Sequence, residues 1–187
     1  MENMNKKTAL LVMDMQQGIL AGFPDARPLI AKTSEAIAFA RAQQIPVIFA
    51  VMGFRKDAPE ISPNNKSLNA RKAGLRQINM DDFMTVHPAI APQDGDITVI
   101  KRRVSAFTGS DLEVILRSAG MEHLILTGLA TSGVVLATLI EAADKDYRLT
   151  VLSDCCADPD DNVQQFLMTR IFNKRADVLG VAEWITR

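Results

Sequence analysis

The sequence predicts an α/β fold in which a central parallel sheet of about six strands is covered by helices on both faces, a three-layer αβα sandwich. Apolar runs of strand length alternate along the chain with stretches of helical period, as expected for strands that are buried on both faces. The 187 residues suffice for one core and are too few for two ordinary domains, so residues 1–187 are interpreted as a single domain.

The predicted strands and helices follow one another in the order expected of a Rossmann-like sheet. Each strand is a short apolar run, and each helix carries apolar residues at a spacing of three or four. The predicted strands are residues 8–13, 46–52, 97–101, 123–127, 149–152 and 176–179. The predicted helices are residues 30–44, 109–120, 131–146 and 159–175.

Residues 53–96 interrupt this alternation. The segment is rich in proline and has few long apolar runs, although residues 69–75 are compatible with a short helix. A connection of this length in a compact domain is usually functional. We therefore expect it to form a wall of the binding site.

Composition excludes several classes of partner. The 21 basic and 22 acidic residues give a net charge of −1, which provides no field to attract nucleic acid or an anionic membrane. No apolar stretch approaches the ~18 residues of a membrane span, and residues 1–7 do not begin a signal peptide. The adjacent Cys155 and Cys156 fit a reducing compartment. The sequence thus predicts a cytoplasmic protein with a small-molecule substrate, no nucleic-acid partner and no membrane partner.

Two charged residues lie at predicted strand ends, where parallel sheets bind their ligands. Asp14 ends the first strand and Lys101 ends the third. A buried carboxylate is costly unless it is paired, so we expect Lys101 to supply its counter-charge. Such a carboxyl group can exchange a proton with a ligand. A salt bridge with a purely structural role is the alternative interpretation.

Three stretches, in this order, resemble the isochorismatase-like hydrolase family, also called the cysteine hydrolase family, which includes nicotinamidases and other small amidases. They are ALLVMDMQQG (9–18), VIKRRVSAFTGSDLEVILRSAG (99–120) and HLILTGLATSGVVLATLIEAADKDYRLTVLSDCCAD (123–158). The resemblance implies that Asp14 is the acid/base and that Lys101 supports it. It also implies a cis peptide bond between Leu129 and Ala130.

The chain departs from the family at the nucleophile. Members carry a cysteine in the pattern G-x-x-T-x-x-C-V-x-x-T, and Gly128, Thr131 and Thr138 match this pattern without a gap. The match places Val134 where the cysteine belongs. Backbone N–H groups in the first turn of a helix could still hold an anion there, but valine provides no thiolate. Besides Asp14, Lys101 and Val134, we expect five residues to contact substrate: Gln16, Phe107, Leu129, Ala130 and Thr131.

These residues leave three functions open. The first is a small-molecule hydrolase that acts without a cysteine, with Asp14 as general acid; isochorismatases themselves lack the cysteine and cleave a vinyl ether in this way. The second is an inactive member that binds a metabolite or a protein. The third is an amidase that uses Ser132, although a serine needs an adjacent base.

The resemblance also bears on metals and assembly. Family amidases that bind a metal use an Asp with closely spaced histidines after the second strand, and the corresponding region here, VMGFRKDAPEISPNN (51–65), has no histidine. The two histidines of the chain are His87 and His123. We expect neither a metal nor another cofactor. Because relatives are commonly dimers or larger, we expect a homo-oligomer.

Overall fold

The computed structural model describes residues 7–23 and 25–187, and it confirms the predicted fold class. Residues 1–6 lie outside the described residues. They form most of the segment that is expected, from the sequence, not to begin a signal peptide. Six parallel strands form one sheet in the order β3-β2-β1-β4-β5-β6. The strands are β1 (Thr8–Met13), β2 (Val47–Met52), β3 (Ile97–Lys101), β4 (His123–Leu129), β5 (Arg148–Ala157) and β6 (Asp177–Leu179).

The chain runs outward from β1 to β3 and then returns to pair β4 with the other side of β1. The direction of winding therefore reverses between β1 and β4. In open parallel sheets this reversal leaves a crevice at the carboxyl ends of the two strands.

The helices cover both faces of the sheet. Helices α5 and α6 pack in one apolar core, and helices α2 and α8 pack in the other. The α-helices are α1 (Gln17–Leu20), α2 (Arg27–Ala42), α3 (Lys66–Leu75), α4 (Met80–Met84), α5 (Leu112–Ser118), α6 (Leu136–Asp144), α7 (Asp161–Phe166) and α8 (Val181–Thr186). Helices α1, α4 and α8 were not expected from the sequence.

Two predicted helices are interrupted. The predicted helix 131–146 consists of a π-helical turn, Thr131–Val135, followed by α6. The predicted helix 159–175 consists of α7, a π-helical turn at Leu167–Ile171 and a 3-10 turn at Phe172–Lys174. Apolar periodicity alone does not distinguish these hydrogen-bonding patterns, because their side-chain spacings are similar.

Strands β4 and β5 extend beyond their predicted ends, to Leu129 and Ala157. Within the added part of β4, this strand lies close to β1. A Cβ atom on Gly128 would lie 2.9 Å from the carbonyl oxygen of Met13, so only glycine fits there without a shift of the backbone.

The long connection after β2 is ordered around a small apolar cluster. This cluster comprises Phe54, Ala58, Ile61 and Leu68, and it is separate from the two main cores. It fixes α3 beside the crevice, as expected for a wall of the site.

Candidate functional site

A cavity of about 600 Å³ opens at the carboxyl ends of β1 and β4. Its floor includes Asp14 and Val134, and its walls come from α1, α3, α4 and the loop after β5. The volume is typical of a site for a small molecule. The lining residues are Asp14, Gly18, Ile19, Gly22, Phe23, Met52, Ser67, Leu68, Arg71, Leu75, Phe83, Val104, Leu129, Ala130, Ser132, Gly133, Val134, Asp158 and Pro159.

Asp14 directly follows β1 and leaves the strand conformation. Its N–H group still donates to the carbonyl of Ala50, but its φ angle is +58°, a left-handed conformation that costs energy for a residue with a side chain. The residue is 4% exposed, and its Oδ1 atom has no hydrogen-bond partner within the described part of the chain. One carboxylate oxygen is therefore free for a ligand.

Lys101 ends β3 and is fully buried next to Asp14. Its Nζ atom lies 3.0 Å from Asp14 Oδ2 and donates to the carbonyls of Arg103, at 3.0 Å, and Val104, at 3.1 Å. All three ammonium donors are thus satisfied. The expected pairing of Asp14 with Lys101 is present.

The loop that holds Lys101 is itself anchored. The hydroxyl of Thr138, in α6, accepts a hydrogen bond of 2.9 Å from the N–H group of Ala106. This bond ties α6 to the segment that follows β3. A threonine of the family pattern therefore contributes to positioning the lysine, although it lies outside the cavity.

Burial shifts the protonation of the pair. Removal from water raises the pKa of Asp14 to about 6, while the charge and the hydrogen bond of Lys101 act in the opposite direction. Burial also lowers the pKa of Lys101, an effect that Asp14 opposes. A carboxyl group with this pKa can carry or release a proton near neutral pH.

The turn after β4 supplies another wall of the cavity. The peptide bond between Leu129 and Ala130 is cis, and both residues line the cavity together with Val134. Thr131 is fully buried and does not line it. Val134 is 2% exposed, and its side chain belongs to an apolar core.

Two of the residues expected to bind substrate lie elsewhere. The side chain of Gln16 bonds to the N–H and carbonyl groups of Met52 and to the carbonyl of Phe83, so it joins β2 to α4 instead of facing the cavity. Phe107 lies in a core, with its ring centre 6.1 Å from that of Tyr147. Contrary to expectation, Gln16, Phe107 and Thr131 do not line the cavity.

The sequence did not identify two charged residues that line the cavity, Asp158 and Arg71. Asp158 Oδ2 accepts a hydrogen bond of 2.7 Å from the N–H group of Ser132. Asp158 directly follows β5, so the rule that ligands bind at strand ends would have found it if that strand had been given its full length. Arg71 projects from α3, in the segment whose fold the sequence did not specify.

The histidines and cysteines lie away from the cavity. His87 caps the short turn Pro88–Ile90, and His123 bonds to Thr8 and Thr150 near the opposite end of the sheet. Both cysteines are buried and free. Within residues 7–23 and 25–187, no three His, Cys, Asp or Glu side chains are grouped to hold a metal.

In the part of the chain that the structure describes, no helix has the length and apolar character needed to cross a membrane.

Comparison with known proteins establishes the family. The family model for the isochorismatase domain matches residues 8–183. The ureidoacrylate amidohydrolase RutB of Pseudomonas syringae pv. syringae is 36% identical over 171 residues, covering 79% of this chain and 69% of that protein. The chain therefore belongs to the isochorismatase family of small-molecule hydrolases, as the sequence motifs predicted.

Solved structures agree with this assignment. An isochorismatase family protein from Burkholderia thailandensis has a TM-score of 0.83 and 30% identity, covering 95% of this chain and 93% of the other. N-carbamoylsarcosine amidase from Thermoplasma acidophilum has a TM-score of 0.78 and 29% identity, covering 94% and 96%. Both matches extend over nearly the whole αβα sandwich.

Proposed function

We propose that this protein hydrolyses a small molecule without a covalent intermediate, with Asp14 as general acid and Lys101 as its positioning partner. The observation that carries the proposal is the state of Asp14. Its carboxyl group is buried, has a pKa raised to about 6, and keeps one oxygen without a partner among the described residues at the floor of the cavity. These are the properties required of a proton donor at neutral pH.

The chemistry that suits this arrangement is hydrolysis of a vinyl ether. Asp14 gives its proton to the terminal enol carbon, and the adjacent carbon becomes an oxocarbenium ion. Water adds to that carbon and returns a proton to Asp14. The resulting hemiketal then breaks its C–O bond to give a ketone and an alcohol, so the carboxyl group is regenerated and no thiolate is needed.

Two relatives are named for amide hydrolysis, but a covalent route is poorly supported here. The side chain of Val134 has no nucleophilic atom. Ser132 lines the cavity, yet neither histidine is among the lining residues, so the serine lacks the usual base. Catalysis by Asp14 therefore accounts for the described residues better than an amidase using Ser132 does.

The test is pyruvate release from isochorismate by the wild type and by Asp14→Asn. Asp144→Asn is the matched control, because it makes the same chemical change at an exposed position that does not line the cavity. Circular dichroism and a thermal melt establish that each variant is folded.

The proposal requires release by the wild type and by Asp144→Asn, with a large loss in folded Asp14→Asn. Equal release by Asp14→Asn would remove Asp14 from the mechanism. No release by the wild type would discard this substrate and favour the alternative of a binding module. That alternative is tested by ligand-induced shifts of the melting temperature across a metabolite library.

The setting of this activity is also proposed from the sequence. Two free, buried cysteines are compatible with a reducing, cytoplasmic environment. Homo-oligomerisation is expected by analogy with the family, and sedimentation equilibrium would measure it.

A further inference from the structure

One face of helix α3 lines the cavity. Its lining residues are Ser67, Leu68, Arg71 and Leu75, which recur at the spacing of a single helical face. Leu68 is buried in the apolar cluster after β2, so this face is directed toward the protein. Arg71 lies in the middle of the face, between residues that turn inward.

Contacts made by other residues fix the position of α3. The side chain of Asn65 caps its first turn. Lys72 Nζ donates to the carbonyl of Ile61 at 2.8 Å, and Arg76 Nε donates to the carbonyl of Asp57 at 3.0 Å. The helix is thus held in place without any contribution from Arg71.

Two other cations are already engaged in ion pairs. Arg55 forms an ion pair with Glu60, and Lys101 forms one with Asp14. Among the described residues, Arg71 makes neither a hydrogen bond nor an ion pair. Its donors remain available to a ligand.

The charges around the cavity indicate what that ligand carries. Of the lining residues that the structure describes, Asp14 and Asp158 are acidic and Arg71 alone is cationic. Asp14 is buried at the floor, whereas Arg71 is exposed. The charge of Asp14 is offset by Lys101, so an anionic group would be repelled near Asp158 and attracted near the guanidinium.

We propose that Arg71 is a specificity residue that selects substrates bearing a carboxylate. The carboxylate binds at the mouth of the cavity, and the reacting group lies against Asp14. A guanidinium suits this task because its planar fork can donate two parallel hydrogen bonds to one carboxylate. The inference rests on the proposed hydrolase function, and it adds the substrate class.

The test uses benzoate and benzamide, a pair of similar shape in which only benzoate is charged. In calorimetric titration, the wild type should bind benzoate with a Kd about tenfold lower than that of benzamide. This ratio corresponds to the usual free energy of a hydrogen bond to a charged group. Arg71→Gln should remove the preference. Lys66→Gln, on an exposed residue of the same helix that does not line the cavity, should keep it.

Salt provides a second readout. Because Arg71 is exposed, the preference of the wild type should shrink as ionic strength rises. Equal binding of both compounds, no binding of either, or a preference that persists in Arg71→Gln would each overturn the proposal.

The experiment separates this proposal from the proposed reaction. Binding of benzoate requires no turnover, so it is decided even if isochorismate is not hydrolysed. Conversely, turnover that requires Asp14 but has the same KM in Arg71→Gln would overturn only the role of Arg71.

Discussion

The Nζ atom of Lys101 lies 3.0 Å from Oδ2 of Asp14, although the two residues end strands that are not neighbours in the sheet. Strand β2 lies between β1 and β3, so the side chains of Asp14 and Lys101 must extend beyond the end of β2 to meet. The left-handed backbone of Asp14 accompanies this reach. The two side chains are therefore brought together by strand order and local backbone conformation.

Activity that depends on Asp14 as an acid should fall as pH rises through about 6. The sign follows from the chemistry, because only the protonated carboxyl group can donate and its pKa is raised to about 6. The measurement is kcat/KM for pyruvate release from about pH 5 to about pH 8. A rise over the same range would indicate that the ionised form acts as a base.

Replacing Lys101 should destabilise the protein in a pH-dependent way. Lys101→Met leaves a buried carboxylate without its counter-charge, which typically costs about 3–5 kcal/mol. The cost should be smaller at low pH, where Asp14 is protonated. Urea unfolding of the wild type, both single variants and Asp14→Asn/Lys101→Met measures the coupling, and additive effects would show that the two side chains do not interact in solution.

The sequence predicted the Asp14 and Lys101 pair because each residue directly follows a buried strand, and ends of parallel strands meet at one edge. It did not predict that the side chain of Gln16 would form hydrogen bonds with the backbone of Met52 and Phe83, because these bonds depend on where α4 packs. The sequence did not predict that Arg71 lines the cavity, because α3 has little apolar periodicity of its own and its position depends on contacts with the preceding loop. The sequence did not identify Asp158 because the predicted fifth strand ends at residue 152, whereas β5 extends to Ala157.

Introducing a thiol at Val134 tests the proposal that this residue occupies the position expected for a nucleophilic cysteine. In Val134→Cys the new thiol should be alkylated by iodoacetamide, because the residue lines the cavity at the start of a helix. The native Cys155 and Cys156 should resist, since neither lines the cavity and burial raises the pKa of Cys156 to about 12. Mass spectrometry of the folded protein locates the label, and a label on the native cysteines alone would contradict the placement.

His123 should make the protein less stable as pH falls. Burial holds its pKa at about 4 in the folded protein, below the ordinary value of 6.5, so the unfolded chain takes up the proton first. Stability from the neutral ring is present above pH 6.5 and is lost as pH falls toward 4. Asp14 acts in the opposite direction, because its raised pKa favours the folded state at low pH.

Comparison with His123→Gln isolates the contribution of the histidine. The glutamine does not titrate, while its amide can still hydrogen-bond to the hydroxyl groups of Thr8 and Thr150, which contact the imidazole in the wild type. Urea midpoints at about pH 7 and about pH 4.5 should therefore differ less in the variant than in the wild type. Equal differences in the two proteins would mean that His123 is not the group whose protonation destabilises the fold in acid.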